Sequence, residues 1–379
     1  AGVSAGSAVA LVGLGALGAD RVTLGVVGLF GVVCPMAFGM AYVLLPPYVG
    51  RTFPSGTLPA LHFAATIAGA ALVVGRFLHP GLRPLFPVGV LLWSLGVGLF
   101  VAGVARTAGQ SAVERVRTGR VSTDHPQRSP RIAAAAIPLA MAYLLAGTVG
   151  LLGYAGLLPP AGSLTLPAVL HLYGAGFGAL LVFALGARLL TGFFHVTPPR
   201  VAVVTAVVAG AIGPAFLASH RWVGPWFRIG AGLETAALLA YAAGVAVVAI
   251  RTDWRRPGLS GILLGAVAGA AGVVVAGLVV LGGLPVRSLE VHAALLLEGF
   301  FVLTIVGYAY QFFPVTSGRY AGATERTAVA TIALLAGGLA VRLGGTAGGW
   351  PLVTGVGGAL GLAGALGYTY LLGRRLVGR

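Results

Sequence analysis

Charged residues are scarce in this sequence of 379 residues. Only 8% of the residues are charged, eight of them are acidic, and lysine is absent. Soluble domains carry about 25% charged residues, so the composition excludes a large soluble core. Cysteine is also nearly missing: Cys34 stands alone, which excludes an intrachain disulfide and leaves the redox compartment open.

Apolar runs of about 20 residues fill most of the chain, as is typical of membrane-spanning helices. Hydrophobic residues make up 58% of the sequence, and its 62 glycines suit close helix packing in lipid. The sequence therefore predicts an all-α polytopic membrane protein with about twelve transmembrane helices. Turn residues between the runs place the spans near 2–19, 22–46, 58–78, 84–105, 132–156, 165–192, 200–219, 227–250, 258–283, 289–313, 327–345 and 351–373.

The basic residues are all arginine and give a net charge of +16. They are dispersed between apolar runs, whereas nucleic-acid binding requires them on one face, so we expect no nucleic-acid partner. With both termini inside, sixteen arginines fall in inner loops and tails and seven, including Arg342, in outer loops; Arg188 lies within helix six. This asymmetry predicts an N-in, C-in protein of a prokaryotic plasma membrane, in contact with the lipid bilayer.

One pattern occurs twice with the same spacing. Helix two ends in GMAYVLLPPYVGR (39–51) and helix ten in GYAYQFFPVTSGR (307–319), and both fit G-x-A-Y-x3-P-x3-G-R. Helix six ends in the looser copy GARLLTGFFHVTPPR (186–200). Copies on helices two, six and ten predict a pseudo-threefold 4+4+4 arrangement within one membrane domain. The predicted units are 1–106, 132–256 and 257–379, with a basic cytoplasmic loop at 107–131.

Two of the seven histidines, His171 and His292, lie about 5–10 Å inside the outer ends of helices six and ten. Polar rings in hydrocarbon are costly and are usually functional or tightly paired. Gly174 and Gly178 share a helix face with His171, and Gly299 shares one with His292. A porphyrin can lie flat on glycine while imidazoles bind its iron, so the pattern predicts a haem with two histidine ligands. The plainer interpretation is that glycine is common in this chain.

The other histidines have simpler interpretations. His79, His125 and His220 fall in loops and are expected at the solvated surface. His195 lies near the inner end of helix six, from which its ring can reach the membrane interface. His62, early in helix three, is expected to be a structural histidine held by hydrogen bonds.

The stretch from His292 to Arg319 resembles helix ten of the catalytic subunits of haem-copper oxidases and nitric-oxide reductases. In that family a histidine at the outer end precedes a Gly- and aromatic-rich middle and Pro-x3-Gly-Arg. The corresponding residues here are His292, Gly299, Gly307, Tyr308, Tyr310, Pro314, Gly318 and Arg319. AYVLLPPYVGR followed by LPALHFAATIAG is similar to the family's helix two–three junction. The resemblance implies twelve core helices in a 4+4+4 arrangement, both termini inside, and haem near the outer side.

The sequence departs from that family at several metal ligands. The family's His-x-His is replaced by His-Ala-Ala at 292–294, and the repeat places Leu24 where helix two would supply a second low-spin haem ligand. His171 lacks the following Pro-Glu, and 200–219 contains no histidine pair for copper. The resemblance therefore implies a divergent, NnrS-like member. We expect one haem b held by His292 and His171, no copper, and no oxygen reduction by the binuclear mechanism.

Two further ionisable residues fall inside predicted spans near this site. Glu298 in helix ten and Arg188 in helix six are candidates for a proton path or for partners of haem propionates. A structural ion pair between them is an equal alternative. Glu234 in helix eight is a third buried candidate.

Three functions remain open from the sequence. The leading hypothesis is a membrane haem protein of respiratory electron transfer or nitric-oxide handling, working beside other membrane or redox subunits, with oxidoreductase activity undecided. A proton-coupled secondary transporter would use the buried histidines and glutamates, although the 4+4+4 grouping differs from the inverted repeats typical of transporters. A cofactor-free scaffold subunit would explain the missing ligands.

Overall fold

The computed structural model describes residues 1–49, 53, 55–118, 131–159, 164–219 and 224–377. These residues form twelve helices that we name α1 to α12, with no strand among them. The helices are α1 (Gly2–Ala16), α2 (21–49), α3 (Leu58–Leu78), α4 (Phe86–Thr118), α5 (Arg131–Tyr154), α6 (Leu166–Phe194), α7 (Arg200–Ser219), α8 (Gly224–Arg251), α9 (Pro257–Val280), α10 (289–312), α11 (Glu325–Gly348) and α12 (Pro351–Val377).

Eleven of these helices are long and apolar enough to cross a membrane. The exception is α1, whose 15 residues extend about 22 Å, compared with about 30 Å for the hydrocarbon core of a bilayer. The all-α polytopic membrane fold is thus confirmed. The sequence predicted about twelve membrane-crossing helices. Among the described residues, eleven helices are long enough to cross, and α1 is a shorter apolar helix.

The predicted loop at 107–131 begins as helix. Helix α4 continues through Thr118, well past the predicted end of its span at 105. Residues 119–130, the remainder of that loop, lie outside the described residues. The composition explains the difference, because the stretch after 105 contains alanine, glutamate and arginine, which favour helix even outside the membrane.

Local signals position the helices around the predicted site. The Asp20 side chain caps the start of α2, where Oδ1 accepts hydrogen bonds from the backbone N–H groups of Val22 at 2.9 Å and Thr23 at 3.1 Å. Pro167 occupies the first turn of α6, where its missing N–H costs nothing. His195 ends α6 in the left-handed conformation, with φ of 55°.

The contacts between helices fall into two sets. Three pairs of consecutive helices pack extensively against each other: α3–α4, α7–α8 and α11–α12. Further contacts join α4 to α5, α8 to α9 and α12 to α1. Helix α2 contacts both α6 and α10. These contacts are those expected for three groups of helices, and the pseudo-threefold 4+4+4 arrangement stays a prediction. The N-in, C-in orientation stays a prediction.

The three central helices share a backbone feature that the sequence did not reveal. Each contains one π-helical segment: Val27–Val33 in α2, Leu172–Ala179 in α6 and Leu295–Val302 in α10. The starts of the segments in α2 and α10 are 268 residues apart, the same separation that aligns Gly39 with Gly307 in the repeated motif. Because π segments are rare and frequently lie at functional sites, they mark these helices as the centre of interest.

Candidate functional site

His171 and His292 lie at corresponding places in α6 and α10. His171 directly precedes the π segment of α6, and His292 lies three residues before that of α10. Both side chains are partly buried. The two imidazoles are near enough to interact electrostatically, and the start of α2 contacts both helices at this level. The two predicted ligands therefore lie at the same end of the helix bundle, where α6 and α10 both contact the start of α2.

A backbone carbonyl orients each imidazole. Nδ1 of His171 lies 2.9 Å from the carbonyl oxygen of Pro167, one turn earlier in α6. Nδ1 of His292 lies 2.9 Å from the carbonyl oxygen of Gly272 in α9. A carbonyl oxygen only accepts, so Nδ1 carries the proton in both rings and Nε2 carries the lone pair. Metal-binding histidines are typically held by such a hydrogen bond on their other nitrogen.

The outer rim beside this pair is charged. Arg21 at the start of α2 and Glu290 at the start of α10 form an ion pair of 3.7 Å, with side chains 42% and 49% exposed. Glu290 precedes His292 by two residues, so the ion pair lies on the solvent side of that imidazole. Asp20, one residue before Arg21, fixes the start of α2 as its cap.

Side chains cover the glycine face on the inner side of the histidines. A Cβ added to Gly174 would lie 3.6 Å from Leu29 of α2. A Cβ added to Gly178 would lie 3.0 Å from Phe301 of α10 and 3.1 Å from Val33 of α2. The glycines thus let three helices approach closely and do not leave a flat open surface. We call Leu29, Val33 and Phe301 the apolar layer.

Gly299, the third predicted glycine, belongs to a different interface. A Cβ at Gly299 would meet Ala268 of α9 at 2.6 Å and Leu339 of α11 at 3.3 Å. It therefore packs α10 against α9 and α11, away from the α6 glycines. His171, His292, Gly174 and Gly178 come together, and Gly299 does not join them.

The two histidines at this site are suitable ligands for haem, but the glycine face beside them leaves no space for a porphyrin. Two oriented imidazoles with Nε2 lone pairs are suitable axial ligands for haem iron. The expected glycine surface is filled, so a porphyrin lying flat on Gly174 and Gly178 would have to displace the apolar layer. A haem held by these histidines would therefore have to lie beyond that layer, toward the nearer ends of α6 and α10.

Glu298 is paired with a different arginine from the one that the sequence suggested. Its Oε1 accepts a hydrogen bond of 2.5 Å from Nη2 of Arg342 in α11, and both side chains are less than 10% exposed. Gly15 of α1 lies directly against both charged groups, where a Cβ would collide with them. Arg342 therefore lies inside the helix bundle and not in an outer loop. Arg188, the expected partner, is exposed in the C-terminal half of α6.

His62 also differs from expectation. It is only 3% exposed, yet neither ring nitrogen has a hydrogen-bond partner among the described residues. Its ring centroid lies 5.0 Å from that of Phe38, 5.3 Å from Phe100 and 5.5 Å from Tyr42. The prediction of a hydrogen-bonded structural histidine was wrong, because the ring packs among aromatic side chains. Sequence spacing identifies its helix but not the chemistry of its neighbours.

Two further described histidines, His79 and His195, lie at the exposed surface. His79 is exposed, and its Nδ1 accepts a hydrogen bond from the Gly81 N–H at 3.1 Å. His195 is exposed at the end of α6, with its ring 5.1 Å from that of Trp254. His125 and His220 lie outside the described residues.

The described part of the chain contains no group of three or more His, Cys, Asp or Glu side chains arranged to hold a metal ion. Comparison with models of known protein families gave no match, and comparison with curated proteins gave no significant match. What the site can do therefore rests on the geometry of its own residues.

Proposed function

We propose that this protein is an integral membrane haem protein in which His292 and His171 are the axial ligands of one haem b near the outer membrane surface. The observation that supports this most is the pair of neighbouring imidazoles, each held at Nδ1 by a carbonyl oxygen. An imidazole held in this way directs Nε2, the nitrogen with the lone pair, at a metal. Bound haem would supply one-electron chemistry and an affinity for small gases.

The chain's own residues would orient the ligands and separate the site from the membrane interior. The carbonyl oxygens of Pro167 and Gly272 fix the ring orientation and increase the basicity of Nε2. The apolar layer beneath the histidines excludes water from the inner side. The exposed ion pair between Arg21 and Glu290 provides a polar rim on the outer side.

The number of histidine ligands determines the class of reaction. Haem held by both His171 and His292 would be suited to electron transfer. Haem held by His292 alone would be able to bind nitric oxide or another small gas. Together with the resemblance of α10 to haem-copper oxidases and nitric-oxide reductases, this supports a role in respiratory electron transfer or nitric-oxide handling beside redox partner subunits.

A variant series tests the proposal through absorption spectra. We expect purified wild type to give a reduced-minus-oxidised spectrum of a b-type haem, and His292→Ala to lose it. His171→Ala should keep the haem but convert it to a five-coordinate form that binds added nitric oxide. His79→Ala is the matched control, since His79 is exposed and its Nδ1 accepts a hydrogen bond from Gly81. Spectra that are the same in His292→Ala and in wild type would refute the assignment of His292.

A further inference from the structure

Glu234 is a buried carboxyl group that does not belong to the proposed haem site. It lies ten residues into α8, about 15 Å along the helix from its start, and is 7% exposed. Its Oε1 is fully enclosed and has no hydrogen-bond partner among the described residues. An ionised carboxylate in apolar surroundings is far more costly than a neutral carboxyl group, so a side chain in this position favours its protonated form.

The neighbouring helix α7 is shaped around this carboxyl group. A Cβ on Gly213 would lie 2.7 Å from Oε1 of Glu234. Any residue larger than glycine at position 213 would therefore collide with the carboxyl group in its present position. The next residue, Pro214, lies inside α7 and has no N–H, which deprives the carbonyl of Gly210 of its usual helical donor. A Cβ on Gly210 would lie 2.8 Å from Phe183 of α6 and 3.6 Å from Ala237 of α8.

This arrangement suits a carboxyl group that carries a proton. A carboxylate only accepts hydrogen bonds, whereas a carboxylic acid also donates one. The proline of α7 leaves the carbonyl oxygen of Gly210, one turn earlier, without its helical donor. A protonated Glu234 has a donor to offer in this region, and an ionised one does not.

Among the described residues, no arginine forms an ion pair with Glu234, and Arg228 lies six residues earlier in α8. The stretches 203–218 of α7 and 258–280 of α9 contain no charged or titratable residue. Tyr143 of α5 interacts electrostatically with Glu234, and its hydroxyl group donates to the carbonyl of Ala211 at 2.6 Å. Glu298 offers the contrast, because it is equally buried but paired with Arg342.

We propose that Glu234 is a proton-binding site of this protein, which holds a proton between α7 and α8 in the interior of the membrane at neutral pH. The ligand is the proton itself, and the neutral carboxyl group is its carrier. The inference does not depend on haem, since no residue of the histidine site contributes to it. It gives the protein a place where a proton can be taken up or released inside the membrane.

Carbodiimide chemistry distinguishes a buried protonated carboxyl group from a paired carboxylate. The carboxyl proton moves to a carbodiimide nitrogen while the carboxylate oxygen bonds to the central carbon, and an internal acyl shift then yields a stable N-acylurea. Purified protein in detergent would be treated with dicyclohexylcarbodiimide between pH 6 and pH 9 and analysed by peptide mass spectrometry. We expect one adduct, on Glu234, that decreases as the pH rises and is absent from Glu234→Gln. An adduct on Glu298 in preference to Glu234 would overturn the proposal.

Infrared spectroscopy gives a second readout that does not require the reagent to reach the site. At pH 7 we expect wild type to show the carbonyl stretch of a protonated carboxylic acid. The band should disappear in Glu234→Gln and persist in Glu298→Gln, which serves as the matched control. Absence of the band in wild type, or its persistence in Glu234→Gln, would show that Glu234 is ionised and exclude the proton-binding site.

Discussion

At the scale of single residues, the buried polar side chains of this protein are stabilised in different ways. His292 is held by the carbonyl of Gly272, and Glu298 is held by Arg342. Oε1 of Glu234 has no hydrogen-bond partner among the residues that the structure describes. The sequence identified all these positions because a polar residue stands out in an apolar run. It did not identify their partners, since helical spacing defines a face but not the residue on the opposite helix.

Glu298→Gln should destabilise the folded protein by about 3–5 kcal/mol, because it leaves Arg342 buried without a counter-charge. The free energy of unfolding in detergent measures this. Glu234→Gln makes the same change at a site without a cation and should cost less than about 1 kcal/mol, within the range of mild substitutions. Adding Arg342→Met to Glu298→Gln should recover much of the loss. Equal effects of the two single Gln variants would contradict a stabilising role for the pair.

Asp20 makes the cap of α2 sensitive to pH. Burial raises the pKa of Asp20, but the hydrogen bonds from Thr23 and Val22 outweigh that effect and hold the pKa below its ordinary value. The contribution of Asp20 is therefore present above the unfolded pKa of about 3.9 and is lost as the pH falls through the folded pKa. Asp20→Ala should cost about 1 kcal/mol at pH 7 and little at pH 2.

Thr324 supplies the control for this pH dependence. Its hydroxyl group caps α11 by accepting a hydrogen bond from the Thr327 N–H, and it does not titrate. Thr324→Ala should therefore cost a similar amount at both pH values. Unfolding measured at pH 7 and pH 2 checks both variants, and an Asp20→Ala effect independent of pH would refute the role of the ionised cap.

At the scale of helices, the boundaries were largely predictable because glycine and proline punctuate the apolar runs. The predicted spans at 58–78 and 200–219 agree with Leu58–Leu78 and Arg200–Ser219. The π segments were not predictable, since their sequences are as apolar as the α-helical turns around them. They arise where α2 meets α6 and α10, which is a property of packing.

Two adjacent glycines of α11, Gly337 and Gly338, differ in how closely the neighbouring helix packs against them. A Cβ on Gly338 of α11 would collide with the backbone of Gly361 in α12, whereas Gly337 has nothing within 4 Å. Gly338→Ala should therefore destabilise the protein by about 1–3 kcal/mol through overpacking. Gly337→Ala should be neutral or stabilising by up to about 1 kcal/mol, because alanine favours helix. Unfolding of both variants in detergent tests the prediction, and similar effects would place the α11–α12 contact elsewhere.

At the scale of the whole molecule, the repeated motif predicts three groups of four helices because it recurs once in every four helices. The contacts of α12 with α1 support this prediction. The site was predicted less fully. The sequence placed His171 and His292 on the same side of the bundle, but the glycine face between α6 and α10 is filled by the apolar layer. The side chains that fill this glycine face come partly from α2. No sequence pattern within α6 or α10 could have predicted them.

Accessibility of introduced cysteines tests the orientation of the molecule. If α1 crosses the bilayer despite its length, Gly2→Cys should react with a membrane-impermeant maleimide from the inner side and Leu17→Cys from the outer side. Ser317→Cys and Val286→Cys, both at exposed positions, should react from the inner and outer sides respectively. The native Cys34 is fully buried and should give little background. Labelling of both α1 positions from one side would show that eleven helices cross and that the termini lie on opposite sides.

The haem content of the purified protein tests the central claim most directly. The pyridine haemochrome assay, applied to wild type expressed with sufficient haem, should give one haem b per chain, and the same assay on His292→Ala should give almost none. Colourless wild type, purified under conditions in which a control membrane protein keeps its haem, would contradict the claim. The oriented pair of His171 and His292 would then be structural, and Glu234 would remain as the candidate functional residue.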